Sequence, residues 1–267
     1  MYSILFHIGP VPIRAYGLML WIGMMVGLYR TVIAGRKQGI SSDSIIDIAL
    51  ISVIAGVIGA HIASVLLDLP FYLRNPGEIA GLWKGALSAS GGIKGLSFHG
   101  GLIGGIGAAY LYTRWKKLNF PVMVDLCIPA VAIAYGITRI GCFLNGCCYG
   151  IPTDLPWGVC FPVDGASGGM TPPSHPVQIY AFFVSIVIYL ILVHIENHRK
   201  FVGQVFLSYI LMYAVYRFLA EFLRKGVTAE VIFAGLTEAQ VVSIIMFCAS
   251  APILYLKLRR QSKSPPN

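Results

Sequence analysis

The sequence predicts an all-α polytopic membrane protein with about seven transmembrane helices. Three observations carry that reading. Hydrophobic residues make up 57% of the 267 and charged residues only 12%, giving a mean hydropathy of +0.75. A soluble chain of this length has no interior large enough to hide so much apolar surface, so its solvent is a bilayer. The apolar residues fall in runs of about 20, the length that crosses a hydrocarbon core. Gly and Pro are abundant, at 30 and 15, as in membrane helices, where small residues let backbones approach. The chain reads as a single integral-membrane domain over residues 1–267. Its net charge of +9 does not point to nucleic acid. The basic residues are scattered between apolar runs, where they mark loops and suit anionic headgroups. The first apolar run is long and lacks a small-residue cleavage site, so it reads as a permanent span and not as a signal peptide.

In chain order, helices are expected at about 13–35, 44–67, 97–114, 120–140, 177–197, 203–223 and 236–257. A polar, Gly-rich connection covers 68–96, and one rich in Pro and Gly covers 142–176; the other connections are short. The tail 261–267, ending SKSPPN, reads as disordered. Lys and Arg set the orientation. Connections after the first, third, fifth and seventh helices carry Arg30, Arg36, Lys37; Arg114, Lys116, Lys117; Arg199, Lys200; and Lys257, Arg259, Arg260, Lys263. These are twelve of the 20 basic residues. The opposite side carries Arg14, Arg74, Lys84, Lys94, Arg224 and Lys225. The N-terminus is therefore expected outside, in the periplasm, with the C-terminus in the cytoplasm and both long connections external.

That orientation gathers ionisable residues at one depth. His99 opens the third helix on the outer side, Arg139 ends the fourth, and His175 precedes the fifth. Arg217 lies about two thirds along the outward-running sixth helix with Glu221 one turn beyond, and Tyr16 is near the outer start of the first. A buried arginine in so apolar a chain is expensive and marks a function. Two arginines facing one cavity suit a phosphate, because a guanidinium stays charged and binds oxyanions with a fork of donors. At this depth the phosphate belongs to a phospholipid headgroup. His99, within SFHGGLIGG, suits a general base. Tyr16, Tyr213 and Tyr216 offer hydroxyl donors. Each residue also has a structural reading. Arg217 and Glu221, spaced i,i+4, can neutralise each other, and Arg139 can serve as a snorkelling interfacial anchor. A helix-end histidine can be a satisfied interfacial residue, and His61 and Asp125 read as structural.

Five segments, AYGLM (15–19), SFHGGLIGG (97–105), VDLCIPAVAIAYGITRIGCFLNG (124–146), SHPVQIY (174–180) and YAVYRFLAEFLR (213–224), resemble the bacterial prolipoprotein diacylglyceryl transferase family. The resemblance covers nearly the whole chain in the same order. It implies a seven-helix enzyme of the bacterial inner membrane, active near the periplasmic face, with no cofactor. Such enzymes move the diacylglyceryl group of phosphatidylglycerol onto the lipobox cysteine of a prolipoprotein, releasing glycerol phosphate. The expected partners are phosphatidylglycerol, prolipoprotein signal peptides and membrane lipid, with no nucleic acid, and the expected state is a monomer. By the resemblance, Arg139 and Arg217 hold the phosphate and His99 helps deprotonate the substrate thiol, since the thiolate is the nucleophile. Tyr16, Asn145, Gly150, His175 and Glu221 match further positions that line or shape the site, and Tyr213 is grouped with them.

The chain departs from the family's signature at Cys142 and Cys147, where Asn and Glu are usual, and His61 replaces a common arginine. Of the six cysteines, Cys127 and Cys248 lie in apolar helices. Cys142, Cys147, Cys148 and Cys160 fall on the outer side. A disulfide from Cys160 to Cys147 or Cys148, free structural thiols, and metal or redox chemistry all stand open. C-x4-C-C is not a standard zinc spacing, and no metal is expected. The alternative to the transferase is a divergent paralogue with a thiol-redox or other phospholipid-headgroup role. A transporter is disfavoured, because the polar residues gather at one face and no inverted repeat is visible.

Overall fold

A computed structural model of the chain describes residues 3–9, 11–79, 96–163, 169–224, 231–233 and 235–263. Two short strands, β1 (Ile4–Ile8) and β2 (Val11–Arg14), pair ahead of α1 (Ala15–Lys37). There follow α2 (Ser42–Leu67), α3 (Leu69–Arg74), α4 (Phe98–Trp115), α5 (Phe120–Asn145), α6 (Val177–Asn197) and α7 (Gln204–Glu221). The strands β3 (Val231–Phe233) and β4 (Leu236–Thr237) pair antiparallel and lead into α8 (Glu238–Lys263). All seven expected helical segments are helices. Five of them, α1, α2, α5, α6 and Glu238–Gln261 of α8, are long and apolar enough to cross a membrane. The other two, α4 and α7, are 18 residues each and fall outside that set.

Three boundaries differ from the sequence reading. The fourth expected helix runs on to Asn145, so Arg139 sits inside it and does not end it. Glycine at 141 favours a stop by propensity, but here it lets the helix pack against α1, and packing overrides propensity. Residues 261–263, expected as tail, continue α8. The expected external connection 68–96 opens with α3 and a turn of 3₁₀ helix at Pro76–Glu78; most of the remainder, with Lys84 and Lys94, lies outside the described residues, as does Lys225.

The chain forms two compact units, one of Met1–Ile8, Pro12–Thr31 and Val124–Asn267, the other of Gly9–Val11 and Val32–Met123. The second unit is built on a seam of small residues between α2 and α4. A Cβ on Gly59 would lie 2.6 Å from the Gly100 carbonyl oxygen, and one on Gly104 would lie 2.5 Å from that of Ala55. A Cβ on Gly100 would meet the Ala63 Cβ at 2.3 Å. Glycine spaced every four residues on α4 thus lets the two backbones touch, the close packing that holds helices together in lipid. The Ser97 N–H donates to the Ala60 carbonyl at 3.0 Å and fixes the start of α4. His61 is buried beneath, with Nε2 2.8 Å from the Ile79 carbonyl oxygen. Outward residues stay bare of protein, as Leu67 at 79% and Ile103 at 74% exposure show, which is the expected state of lipid-facing side chains.

In the first unit α5 is the axial helix. Gly23 and Gly27 of α1 face Ala134 and Ala130 of α5, with Cβ positions 2.9 and 3.2 Å from their carbonyl oxygens. Ile128, Ala132, Ile188, Leu192 and Val205 form a core shared by α5, α6 and α7. Asp125 is fully buried and accepts the N–H groups of Gly203 at 2.7 Å and Phe206 at 2.9 Å. It caps α7 from a neighbouring helix, so its role is structural. Arg30 forms a partly buried ion pair with Glu196 and donates to the Leu126 carbonyl at 2.8 Å.

Candidate functional site

The site grows from the segment Gly136–Gly150. Gly136 lets α6 approach, its Cβ position lying 2.9 Å from the Ser185 Cβ; Gly141 lets α1 approach, with Met19 Cβ at 2.9 Å and Tyr16 Cα at 3.0 Å. Arg139 lies between these two contacts in sequence, and its guanidinium stacks over the Tyr135 ring at 4.6 Å. It lines a small cavity with Tyr135, Cys148, Gln178, Tyr216 and Arg224. The cavity volume is about 10 Å³, room for one water. Two polar atoms at this cavity, Gln178 Oε1 and Arg224 Nε, are buried with no hydrogen-bond partner. A single water in a cavity of this size can satisfy both. Two guanidinium groups lining one cavity suit an oxyanion.

The backbone that holds the cavity is knotted from three segments. The Gly150 N–H donates to the His175 carbonyl at 2.9 Å, the His175 N–H to Ile151 at 3.0 Å, and the Ile151 N–H to Leu223 at 3.0 Å. Gly150 also bridges Arg224. A Cβ at Gly150 would lie 2.4 Å from the Leu223 oxygen, so only glycine fits. Farther along, Phe161 is fully buried, stacked on Tyr149 at 4.9 Å and edge-on to Phe143 at 6.0 Å. Trp157 Nε1 donates to the Tyr180 hydroxyl at 2.7 Å. The connection 142–176 is thus folded onto the ends of α5 and α6, apart from residues 164–168, outside the described set.

After α5 the chain turns through Gly146 (φ 76) and Cys148 (φ 63). The Cys147 N–H donates to the Cys142 carbonyl at 3.1 Å, and Gln178 Nε2 donates to the Cys147 carbonyl at 2.7 Å. The three sulfurs of Cys142, Cys147 and Cys148 lie within 4.8 Å of one another. Hydrogen bonds from Cys142 and then Cys147, with Arg224 and Arg139 nearby, hold the Cys148 thiol below the usual range against its burial. Cys160 is exposed and outside the trio, and all six cysteines are free thiols here.

The other expected residues distribute as follows. Arg217 pairs with Glu221, and Glu221 Oε1 accepts the Thr237 hydroxyl at 3.3 Å; Arg217 is not among the residues lining the cavity. Tyr213 stands edge-on to Tyr135 at 5.9 Å and 6.1 Å from Tyr216. His175 Nδ1 is 3.3 Å from the Tyr180 hydroxyl. Asn145 closes α5, and its side chain reaches the Cys147 sulfur. Tyr16 is 43% exposed in the first turn of α1. His99 stands exposed in the first turn of α4, 5.8 Å from the Phe98 ring. The glycines after it are accounted for by the α2 seam.

Sequence reasoning missed Arg224 and Gln178. Arg224 reads as one more loop-flanking positive charge, and Gln178 as one polar residue in an apolar run. The available signal was that both lie within the segments quoted for the family resemblance.

A family model described as prolipoprotein diacylglyceryl transferase matches residues 3–256. Among curated proteins, a phosphatidylglycerol–prolipoprotein diacylglyceryl transferase of Geobacter sulfurreducens is 34% identical over 97% of this chain and 96% of its own length. Proteins of the same name from Clostridioides difficile and Bordetella avium are each 34% identical, over 92% and 97% of this chain and 91% and 96% of their own.

Proposed function

The chain belongs to the prolipoprotein diacylglyceryl transferase family, and from that membership and the arginine cavity we propose that it transfers diacylglyceryl from phosphatidylglycerol to the lipobox cysteine of prolipoproteins. In this reaction the cysteine sulfur forms a thioether to the glyceryl carbon that bears the phosphate. The carbon–oxygen bond breaks and glycerol phosphate departs with the bonding electrons. The observation that carries the reading is the pair of guanidinium groups, Arg139 and Arg224, that line one cavity. Fixed positive charge at the phosphate stabilises the charge that grows on the leaving oxygen. Arg139 holds the phosphate, with Arg217 as a second cation steadied by Glu221. His99 takes the proton of the incoming thiol, which must ionise to attack. Tyr16, Tyr213, Asn145 and His175 shape the headgroup and thiol pockets, and Gly150 permits the close backbone crossing. The protein is a transferase.

The same reading places the protein in the bacterial inner membrane as a monomer with seven spans, adding α4 and α7 to the five clear candidates. The N-terminus and the site face the periplasm and the C-terminus the cytoplasm. The distribution of Lys and Arg supports this orientation. No cofactor is required.

The test is complementation of a strain depleted of its own diacylglyceryl transferase. Wild type is expected to restore growth and lipid modification of a reporter lipoprotein, and Arg139→Ala and His99→Ala to fail at equal membrane abundance. Failure of well-inserted wild type would sink the reading in favour of a paralogue with another headgroup or thiol-redox role.

A further inference from the structure

We propose that Cys142, Cys147 and Cys148 form a binding site for one thiophilic d¹⁰ metal ion, with Zn(II) as the reference ion and a fourth coordination position left open. The proposal does not rest on the transferase reading.

Geometry carries it. The three sulfurs already lie within 4.8 Å of one another. Zinc–sulfur bonds of about 2.3 Å at tetrahedral angles place sulfurs roughly 3.8 Å apart. Closing from the observed spread takes an ångström or less of side-chain rotation. The backbone is arranged for convergence. Cys142 lies in the last turn of α5, and the chain then reverses through Gly146 and Cys148, both at positive φ. For a non-glycine residue that conformation costs on the order of 1 kcal/mol and persists where surrounding structure enforces it. Here the enforcement is visible: the Cys147 N–H is tied to Cys142 at 3.1 Å and its carbonyl to Gln178 at 2.7 Å. The result returns Cys148 toward Cys142.

The surroundings suit a bound ion. Three thiolates around a divalent cation carry one net negative charge, and the cavity that Cys148 lines also holds Arg139 and Arg224. Gln178 anchors the Cys147 backbone by donating Nε2–H to its carbonyl at 2.7 Å. Cys142 and Cys147, the two departures from the family signature, are both in the trio. A single disulfide would use only two of three converging thiols. The C-x4-C-C spacing matches no standard zinc signature because the ligands come from one helix end and one strained turn. Binding releases the three thiol protons, M²⁺ + 3 RSH giving M(SR)₃⁻ + 3 H⁺.

The test uses the full-length chain in detergent, reduced, stripped with chelator and dialysed against Zn(II) alone. One equivalent per chain is expected. Cys142→Ser, Cys147→Ser and Cys148→Ser should each weaken retention against a competing chelator by about tenfold or more, while Cys160→Ser behaves as wild type. Because a serine variant can misfold, Co(II) is added to unmodified protein; a near-ultraviolet thiolate-to-metal charge-transfer band is expected. Metal content of wild type no higher than a protein-free blank, absence of that band, or full retention by the Cys148→Ser variant would overturn the proposal. So would isolation of the chain as a metal-free disulfide between two of the three.

Discussion

Replacing Gly150 by alanine tests whether the three-segment crossing positions the arginine cavity. The new Cβ would lie 2.4 Å from the Leu223 oxygen, 2.8 Å from His175 Cβ and 2.9 Å from Val177 Cγ1. Val177 can rotate away. The Leu223 carbonyl cannot, because it is backbone and accepts the Ile151 N–H at 3.0 Å. Relieving that contact from 2.4 Å to an ordinary separation of about 3.4 Å moves the Leu223 carbonyl by roughly 1 Å, a strain costing about 1–3 kcal/mol. Losing the two neighbouring backbone hydrogen bonds adds about 1 kcal/mol each. Together these lower the melting midpoint by roughly 6–20 °C at about 2–4 °C per kcal/mol. Arg224 follows Leu223 directly, so a displacement of about 1 Å reaches the cavity and costs on the order of 10²-fold in kcat/KM. The assay pairs a thermal melt in detergent with turnover of phosphatidylglycerol and a lipobox peptide. Gly107→Ala, at a helical glycine with nothing within 4 Å of its Cβ position, is the control and should be neutral or stabilising by up to about 1 kcal/mol. If Gly150→Ala melts and turns over like wild type, the crossing does not position the site.

Two further outcomes follow from packing and charge. Glu196→Ala leaves the Arg30 guanidinium without its carboxylate but with its Leu126 carbonyl, and is expected to cost about 1–3 kcal/mol; the double variant Arg30→Leu with Glu196→Leu should recover most of that loss in the same melt. Gly104→Val drives a side chain into the Ala55 carbonyl, 2.5 Å from its Cβ position, and is expected to shift the protein from a monodisperse peak to aggregate on size exclusion. Gly107→Val should elute normally, and equal behaviour of the two would refute the α2–α4 seam.

The helices were legible because their signal is local: long apolar runs with polar ends place all seven starts within two residues, while two ends run on by five and six. What depends on distant partners was not. The extension of α5 past Gly141 arises from Met19 and Tyr16, more than a hundred residues earlier in the chain. The glycines after His99 give a neighbour close access to the backbone, but the sequence does not say that the neighbour is α2. Arg139 was visible as a charge in an apolar run flanked by glycines. Arg224 was not, because only the bridge from Gly150 turns it from a loop cation into a cavity residue. The short β1–β2 pair is too brief for a periodicity to stand out.

The Arg30–Glu196 pair also bears on how the chain is made. The two residues are 166 positions apart, and the Leu126 carbonyl that also receives Arg30 is 96 away. At about 5–20 residues per second, Glu196 is synthesised roughly 8–33 seconds after Arg30. When Arg30 is made it has no Glu196 to pair with; α5 later supplies a carbonyl, and α6 supplies the counter-ion. The carbonyl that Arg30 uses is thus made well before its counter-ion, and the pair is complete only once α6 has been added.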